Sequence, residues 1–152
     1  MSDELEKVEE YQDGMRFSQL DYQAAEYLMK SPLHPRPLEI ICYHCQQAAE
    51  KVVKALIVYF GSQGGMPKVH DIGFLLNQIR NILKNEKDVE ITEEIMDIAD
   101  SLSKYGVAPR YPNEILIDEK QTAEAFRSAT VILEWVQNIV DMNNEIGKDS
   151  QS

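Results

Sequence analysis

Residues 38–60 of the chain read LEIICYHCQQAAEKVVKALIVYF, and this stretch decides the fold. Its apolar residues recur at steps of three and four, which is the spacing of one helix face; they are Ile41, Cys45, Ala48, Val52, Ala55, Leu56 and Tyr59. The opposite side carries His44, Gln47, Lys51 and Lys54 at similar steps. Because apolar residues also interrupt that polar side, we predict a central helix that packs on one face and meets a cleft or a partner on the other.

The composition is that of one globular domain, with 43% hydrophobic and 27% charged residues in a chain of 152. No apolar run approaches the roughly 18 residues that a membrane span needs. The N-terminus is acidic, unlike that of a signal peptide, and the two cysteines provide no disulfide framework. We therefore expect a cytoplasmic protein that has no contact with a membrane.

The net charge of −11 is unevenly distributed along the chain. Acidic residues concentrate in residues 1–13, 86–100 and 118–152, which leaves the segment with the central helix mildly basic. An acidic chain is a poor non-specific DNA binder, because phosphate contacts need clustered Lys and Arg. A small basic pocket for one nucleotide or a short RNA is still compatible with this distribution.

Apolar periodicity and helix breakers predict further helices on both sides of the central one. A short charged helix over residues 3–13 ends at Gly14 and precedes an amphipathic helix, whose apolar stripe is formed by Phe17, Leu20, Ala24, Tyr27 and Leu28. Asp71 and Thr92 are the predicted N-caps of a third and a fourth helix. The last helix is predicted over residues 119–142.

The predicted fold class is all-α, an antiparallel up-and-down bundle of four long helices plus a short N-terminal helix. No segment alternates with period two for long enough to indicate a sheet, and Pro109 and Pro112 make residues 106–118 irregular. We expect an acidic N-terminal segment over residues 1–14, a helical-bundle domain over residues 15–142 and a polar tail over residues 143–152.

Several patterns that can indicate metal or phosphate sites have simpler explanations here. Cys42 and Cys45 form a C-x-x-C pair, but no second pair accompanies them and both fall on the apolar side of the helix, which favours a place in the core. The segment GSQGGMPK, residues 61–68, lacks the Gly-Lys-Ser/Thr of a phosphate loop and is interpreted as a connector. No Glu precedes a His by three residues, as di-iron bundles require. We predict no metal site and no cofactor.

The candidate ligand-binding residues combine cations, amides and aromatic rings; they are His44, Gln47, Lys51, Lys54, Tyr105, Arg110 and Tyr111. Arg and Lys can hold phosphate, and tyrosines can stack on a base. Two flanking prolines stiffen the backbone that presents Arg110. In the alternative interpretation, Arg110 pairs with an acidic residue such as Glu50 and locks its loop to the bundle. His70, which precedes the third helix, either points into the cleft or completes the loop.

Three longer motifs follow one another along the chain: CYHCQQAAEKVVKAL, then VHDIGFLL after a Gly-containing loop, and then YGVAPRYP. Together they resemble the HEPN domain family, a nucleotide-binding domain of higher eukaryotes and prokaryotes, over about residues 15–140. The resemblance implies a helical bundle that forms homodimers. It also implies association with a minimal nucleotidyltransferase in a prokaryotic two-component module of the toxin–antitoxin type.

Many proteins of this family are metal-independent ribonucleases in which a His follows an Arg after four to six residues. In that pair the His moves protons and the Arg stabilises charge on the phosphorane. No His follows Arg110 within this window. The resemblance therefore implies a non-catalytic module that binds a nucleotide, RNA or a partner nucleotidyltransferase, with Lys51, Lys54, Arg110 and Tyr111 as contacts.

Two alternatives remain open at the level of sequence. The first is a ribonuclease with a displaced site, in which His44 or His70 supplies the imidazole and Arg110 the positive charge. The second is a purely structural interaction protein. Candidate dimer contacts are the central helix and the last helix, the latter through Ala125, Ile132 and Ile139.

Overall fold

The computed structural model of the chain describes residues 2–32, 35–61, 67–84, 89–106 and 117–151, with side chains from Glu4 to Glu145 inside these ranges. All regular secondary structure in these ranges is helical. The five helices are α1 (Ser2–Lys30), α2 (Leu38–Tyr59), α3 (Ile72–Ile82), α4 (Glu93–Ser103) and α5 (Glu119–Gln151). The predicted all-α bundle is confirmed.

Helix α2 is the centre of the bundle, because it contacts each of the other four helices. Six residues of its predicted apolar stripe are at most 2% exposed: Ile41, Cys45, Ala48, Val52, Ala55 and Leu56. Burying a side chain such as Leu56 contributes about 1.5–3 kcal/mol. Burial extends around the helix to Val53 and Ile57, so α2 packs on more than one side. The prediction of a central helix is confirmed.

Local signals in the sequence set where α3 and α4 begin. Asp71 caps α3, since its side chain accepts a hydrogen bond from the backbone N–H of Phe74 at 3.0 Å. Thr92 caps α4 in the same way by accepting from the N–H of Ile95 at 3.2 Å. Each cap contributes about 1 kcal/mol to stability. Both predicted N-caps are confirmed.

Helix α1 is longer than the sequence predicts, because it continues through Gly14 instead of ending there. A glycine inside a helix costs about 1 kcal/mol relative to alanine. Gly14 is buried, and Tyr11 and Met15 on either side of it pack against the core, so tertiary packing outweighs this local cost. Helix α5 likewise continues beyond Met142 to Gln151, which makes most of the predicted polar tail helical.

The face that α1 turns to the core also differs from the prediction. Of the predicted apolar stripe, Phe17 is 46%, Leu20 51% and Tyr27 76% exposed. Helix α1 packs instead through Ser18 and Ala25, which are at most 1% exposed, and the Ser18 hydroxyl donates to the carbonyl oxygen of Ala48 at 2.7 Å. Small residues on this side let α1 lie close to α2. Phe17, Leu20 and Tyr27 of the predicted stripe are therefore exposed, whereas Leu28 packs against the core.

Contacts at both ends of α2 define the directions of the long helices. Arg36, just before α2, reaches the carbonyl oxygen of Met29 near the end of α1, and the Tyr11 and Tyr59 rings pack at the other end. Helices α1 and α2 are therefore antiparallel, as predicted. Helix α5 runs parallel to α2, because Arg36 pairs with Glu119 at 2.6 Å and the Tyr59 hydroxyl donates to Asn144 at 2.9 Å.

Candidate functional site

The polar side of α2 is organised around Glu50, which is 3% exposed. Its Oε2 lies 3.2 Å from Nζ of Lys54 and 3.2 Å from Nδ1 of His70, and its Oε1 accepts from Nε2 of Gln46 at 3.0 Å. A carboxylate that loses its hydration needs partners of this kind, because burying an unpaired charge costs several kcal/mol. The network therefore links α2 to the segment that leads into α3.

A second polar cluster joins α2 to α1 through Asp21. Its Oδ1 lies 2.8 Å from Nδ1 of His44, and its Oδ2 lies 2.5 Å from Nζ of Lys51. His44 and Lys51 are separated by about two helical turns, so one carboxylate spans both. Part of the predicted polar stripe is therefore covered by α1 and does not face open solvent.

A groove of about 430 Å³ lies between α1 and α2. Four of the residues singled out from sequence line it: Gln47, Lys51, Lys54 and His70. Helix α1 contributes Glu10, Asp13 and Phe17 to the opposite side. The volume falls in the range of small-molecule sites. The structure thus brings these four candidates together, whereas His44 is held on Asp21 outside the lining of the groove.

The cations of the groove are balanced by carboxylates. Lys51 is paired with Asp21 and Lys54 with Glu50, while α1 adds the exposed carboxylates of Glu10 and Asp13. Phosphate binding depends on an excess of positive charge. The groove therefore has no excess of positive charge and is poorly suited to a polyanion.

Tyr105 requires a correction, because the structure places it in the core. The side chain is 6% exposed and belongs to the same cluster of buried residues as Cys42, and Nζ of Lys104 lies 5.1 Å from the ring centroid. Burial, together with the nearby Cys42, raises the pKa of Tyr105 to about 12. A ring in this position has no open face on which a base could stack.

Arg110 and Tyr111 lie outside the described residues, as do Pro109 and Pro112. The described chain stops at Gly106, one turn after Leu102 of the core, and resumes at Ile117. A side chain at Gly106 would meet the amide group of Gln46 at 3.3 Å. Gly106 therefore lies next to the Gln46–Glu50 network, and the role of Arg110 stays a prediction.

Cys42 and Cys45 are free and fully buried, so their predicted place in the core is confirmed. The Cys42 thiol donates to the Thr122 hydroxyl at 3.7 Å. Burial raises the pKa of both thiols, that of Cys45 to about 12, so both remain protonated near neutral pH and are poor nucleophiles. Among the described residues, no three His, Cys, Asp or Glu side chains are placed to hold a metal ion.

The predicted dimer contacts on the last helix also require a correction. Ala125, Ile132 and Ile139 are all at most 6% exposed within a single chain. They face the interior because α5 packs along α2 and also contacts α1 and α4. The surface of one chain therefore cannot offer them to a second copy.

Sequence reasoning missed the carboxylates that hold the site in place. Asp21 lies on α1, 30 residues before its partner Lys51, so no local pattern reveals the pair. Glu50 and Lys54 have the i,i+4 spacing of a helical ion pair, and this signal could have identified them. Phe17 was assigned to an apolar stripe facing the core, so its position in the lining of the groove was not predicted.

Fold and site together define an all-α helical-bundle protein whose central helix presents polar side chains to a groove. The family model of the HEPN domain matches residues 11–139, which is most of the chain. The chain belongs to the HEPN domain family. The resemblance inferred from the three sequence motifs is therefore confirmed.

Two solved structures share this fold. TT1696 from Thermus thermophilus is 23% identical, with a TM-score of 0.67 over 84% of this chain and 96% of that protein. ST0689, described as an archaeal HEPN homologue, is 25% identical, with a TM-score of 0.60 over 86% of this chain and 97% of that protein. No curated protein matches the chain. In the part of the chain that the structure describes, no helix is long and apolar enough to cross a membrane.

Proposed function

We propose that this chain is a non-catalytic HEPN module that binds a nucleotide in the groove between α1 and α2. The observation that carries the proposal is the convergence of Gln47, Lys51, Lys54 and His70 on one groove of about 430 Å³. These residues were selected from sequence for their chemistry, and they come from α2 and from the segment before α3. Their convergence supports a shared ligand.

The charges of the groove favour a nucleotide with one phosphate. Lys54 and His70, which both contact Glu50, can each donate a charge-assisted hydrogen bond to a single phosphate group. Carboxylates such as Glu10 and Asp13 can accept hydrogen bonds from ribose hydroxyls, as acidic residues do in other nucleotide sites. The aromatic ring of Phe17 lines the groove beside these two carboxylates. A triphosphate or an RNA strand would bring more negative charge than these cations neutralise.

Ligand-dependent thermal unfolding tests this proposal. A nucleoside monophosphate at about 100 times its dissociation constant should stabilise the fold by about 2.7 kcal/mol, which corresponds to a rise in Tm of at least about 5 °C. His70→Gln should reduce that rise, whereas Lys120→Gln, an exposed change on α5, should leave it unchanged. The proposal fails if no nucleotide raises Tm, or if both variants respond as the unmodified chain does.

The proposal includes two partners that the family suggests, a second copy of the chain and a minimal nucleotidyltransferase of a toxin–antitoxin module. Co-expression of the chain with a nucleotidyltransferase from the same operon tests the second partner. We expect the two proteins to elute together in size-exclusion chromatography. Separate elution at micromolar concentration would remove this partner and leave the nucleotide site untouched.

A metal-independent ribonuclease is the second candidate, and one observation favours it. Both His44 and His70 have Nδ1 within 3.2 Å of a carboxylate oxygen, which leaves Nε2 as the nitrogen that exchanges a proton with a ligand. The positive charge would have to come from Arg110. RNA incubated with the protein and EDTA distinguishes the two functions. Cleavage that His70→Ala or Arg110→Ala abolishes would replace the non-catalytic proposal, and intact RNA would support it.

A further inference from the structure

The exposed face of α1 carries an apolar seam that no other described part of the chain buries. Phe17, Leu20, Ala24 and Tyr27 follow one another at steps of three, four and three residues, which is the a/d spacing of a coiled coil. Three of them are between 46% and 76% exposed. Such a seam on the outside of a soluble bundle marks an interaction surface.

We infer that this seam is the face through which two copies of the chain pair, with their α1 helices antiparallel. The inference rests on the homodimer proposed above and assigns its interface. In this arrangement Phe17 lies opposite Tyr27 of the partner subunit, and Leu20 lies opposite Ala24 of the partner subunit. A two-fold axis repeats both pairs. The interface then has one aromatic pair towards each end. At its centre, Leu20 of each copy packs on the smaller side chain of Ala24 of the partner subunit.

Charge at the ends of the seam fits the same arrangement. In one chain Arg16 lies 3.4 Å from Asp13, and Lys30 lies 4.0 Å from Glu26. Antiparallel pairing brings the first pair of one copy to the second pair of the other, so these pairs contribute two carboxylates and two cations to each end. This neutrality matters in a chain with a net charge of −11, because two such chains otherwise repel each other.

A parallel pairing is disfavoured by the same residues. It would place Ala24 against its own copy and leave a gap at the centre of the seam, which forfeits packing contacts. It would also set the acidic residues 1–13 of the two chains side by side, where like charges repel. Antiparallel pairing carries these acidic segments to opposite ends of the dimer.

The pairing also bears on the groove, because Phe17 belongs to both. A second copy would bring Tyr27 of the partner subunit beside Phe17 and so add an aromatic side chain to the edge of the groove. From residue 13 to residue 30 the seam measures about 26 Å along the helix. A single helix face of this length buries less area than a standard protein interface. We therefore expect a dissociation constant in the micromolar range.

Sedimentation equilibrium of the full chain, from about 5 to about 200 µM, tests the inference. The unmodified chain should dimerise, and Leu20→Asp should weaken dimerisation at least about 100-fold, because a charge is then buried twice at the centre of the seam. Phe74→Asp is the matched control: Phe74 is 50% and Leu20 51% exposed, but Phe74 lies on α3. It should dimerise as the unmodified chain does, and circular dichroism should show the same helix content in all three.

Each other outcome overturns a defined part of the inference. If Leu20→Asp dimerises with an unchanged dissociation constant, the seam is not the interface, although the homodimer stands. If Phe74→Asp weakens dimerisation as much as Leu20→Asp does, the effect is not specific to α1 and the assignment fails. If the unmodified chain is monomeric at the highest concentration, both the homodimer and the seam fail, while nucleotide binding in the groove remains measurable by thermal unfolding.

Discussion

Nζ of Lys54 lies 3.2 Å from Oε2 of Glu50, one turn earlier on α2, and the two side chains are 10% and 4% exposed. Removing one member of a buried ion pair leaves the other charge without compensation, which costs about 3–5 kcal/mol. We expect Lys54→Met to destabilise the fold by about 3 kcal/mol, because Gln46 and His70 still contact Glu50. Urea denaturation at neutral pH measures the change.

Lys51→Met is the control for this substitution, since Lys51 pairs with Asp21 but its side chain is 36% exposed. A pair with this exposure contributes at most about 1 kcal/mol. The double variant Glu50→Gln with Lys54→Met should recover part of the loss, because the uncompensated charge is gone. Equal losses for Lys54→Met and Lys51→Met would contradict the assignment of the buried pair.

The sequence is a good guide where local chemistry decides the structure. The periodicity of α2 and the caps at Asp71 and Thr92 depend on residues within a few positions of one another. Such features form the same way whatever the rest of the chain does. The central helix and the starts of α3 and α4 were therefore predictable.

The orientation of α1 was not predictable in this way, because both of its faces carry apolar residues. Phe17 and Leu20 lie on one side, and Tyr11 and Met15 lie on the other. The choice depends on how closely α1 approaches α2, and Ser18 makes that approach through a contact 30 residues away in sequence. A single-sequence pattern contains no information on such a distance.

The candidate site shows the same division. Gln47, Lys51 and Lys54 share one side of a helix, as the spacing predicts, and all three line the groove. Tyr105 was placed with them because a tyrosine ring can stack on a base, but its ring belongs to the buried core. An amphipathic side chain fits both environments, so packing alone decided its position.

The stability of the fold should fall steeply above about pH 9. The thiol of Cys45 has an ordinary pKa of 9.0, and burial, followed by the neighbouring Cys42, raises that pKa to about 12. Between these values the unfolded chain releases the proton and the folded chain keeps it, so rising pH favours unfolding. This thiol alone accounts for about 1.4 kcal/mol per pH unit in that window, and its contribution is fully present below it.

Urea denaturation at about pH 8 and about pH 10.5 measures this fall. Cys45→Ala serves as the comparison, because it removes the titrating group while the cavity it leaves acts equally at both pH values. The free energy of unfolding of Cys45→Ala should fall less steeply with rising pH, by about the contribution of one titrating proton. An identical slope in the two proteins would show that Cys45 ionises in the folded chain.

Gly61 follows the end of α2 and has a backbone conformation that costs most other residues free energy. Its φ is +87°, and its N–H donates to the carbonyl oxygen of Val58 at 2.9 Å. A left-handed residue with a Cβ costs about 1–2 kcal/mol, and Asn tolerates this region better than most residues. We expect Gly61→Ala to lower the free energy of unfolding by about 1 kcal/mol and Gly61→Asn by less. Thermal unfolding separates the two variants, and a larger loss for Asn would contradict the explanation.

The contact between Ser18 and Ala48 sets the distance between α1 and α2, and Ser18 is 1% exposed. Ser18→Ala removes one hydrogen bond and should cost about 1 kcal/mol, since the Ala48 carbonyl still lies within its own helix. Ser18→Leu adds volume at this buried contact and should cost more, about 1–3 kcal/mol on top of the lost bond. The exposed neighbour Gln19 provides the control, and Gln19→Ala should change stability by less than about 0.5 kcal/mol. The midpoint of urea denaturation should be highest for Gln19→Ala, lower for Ser18→Ala and lowest for Ser18→Leu. The slope of the unfolding free energy against urea concentration should be the same in all three. A leucine tolerated as well as alanine would mean that the two helices are not held close at this point.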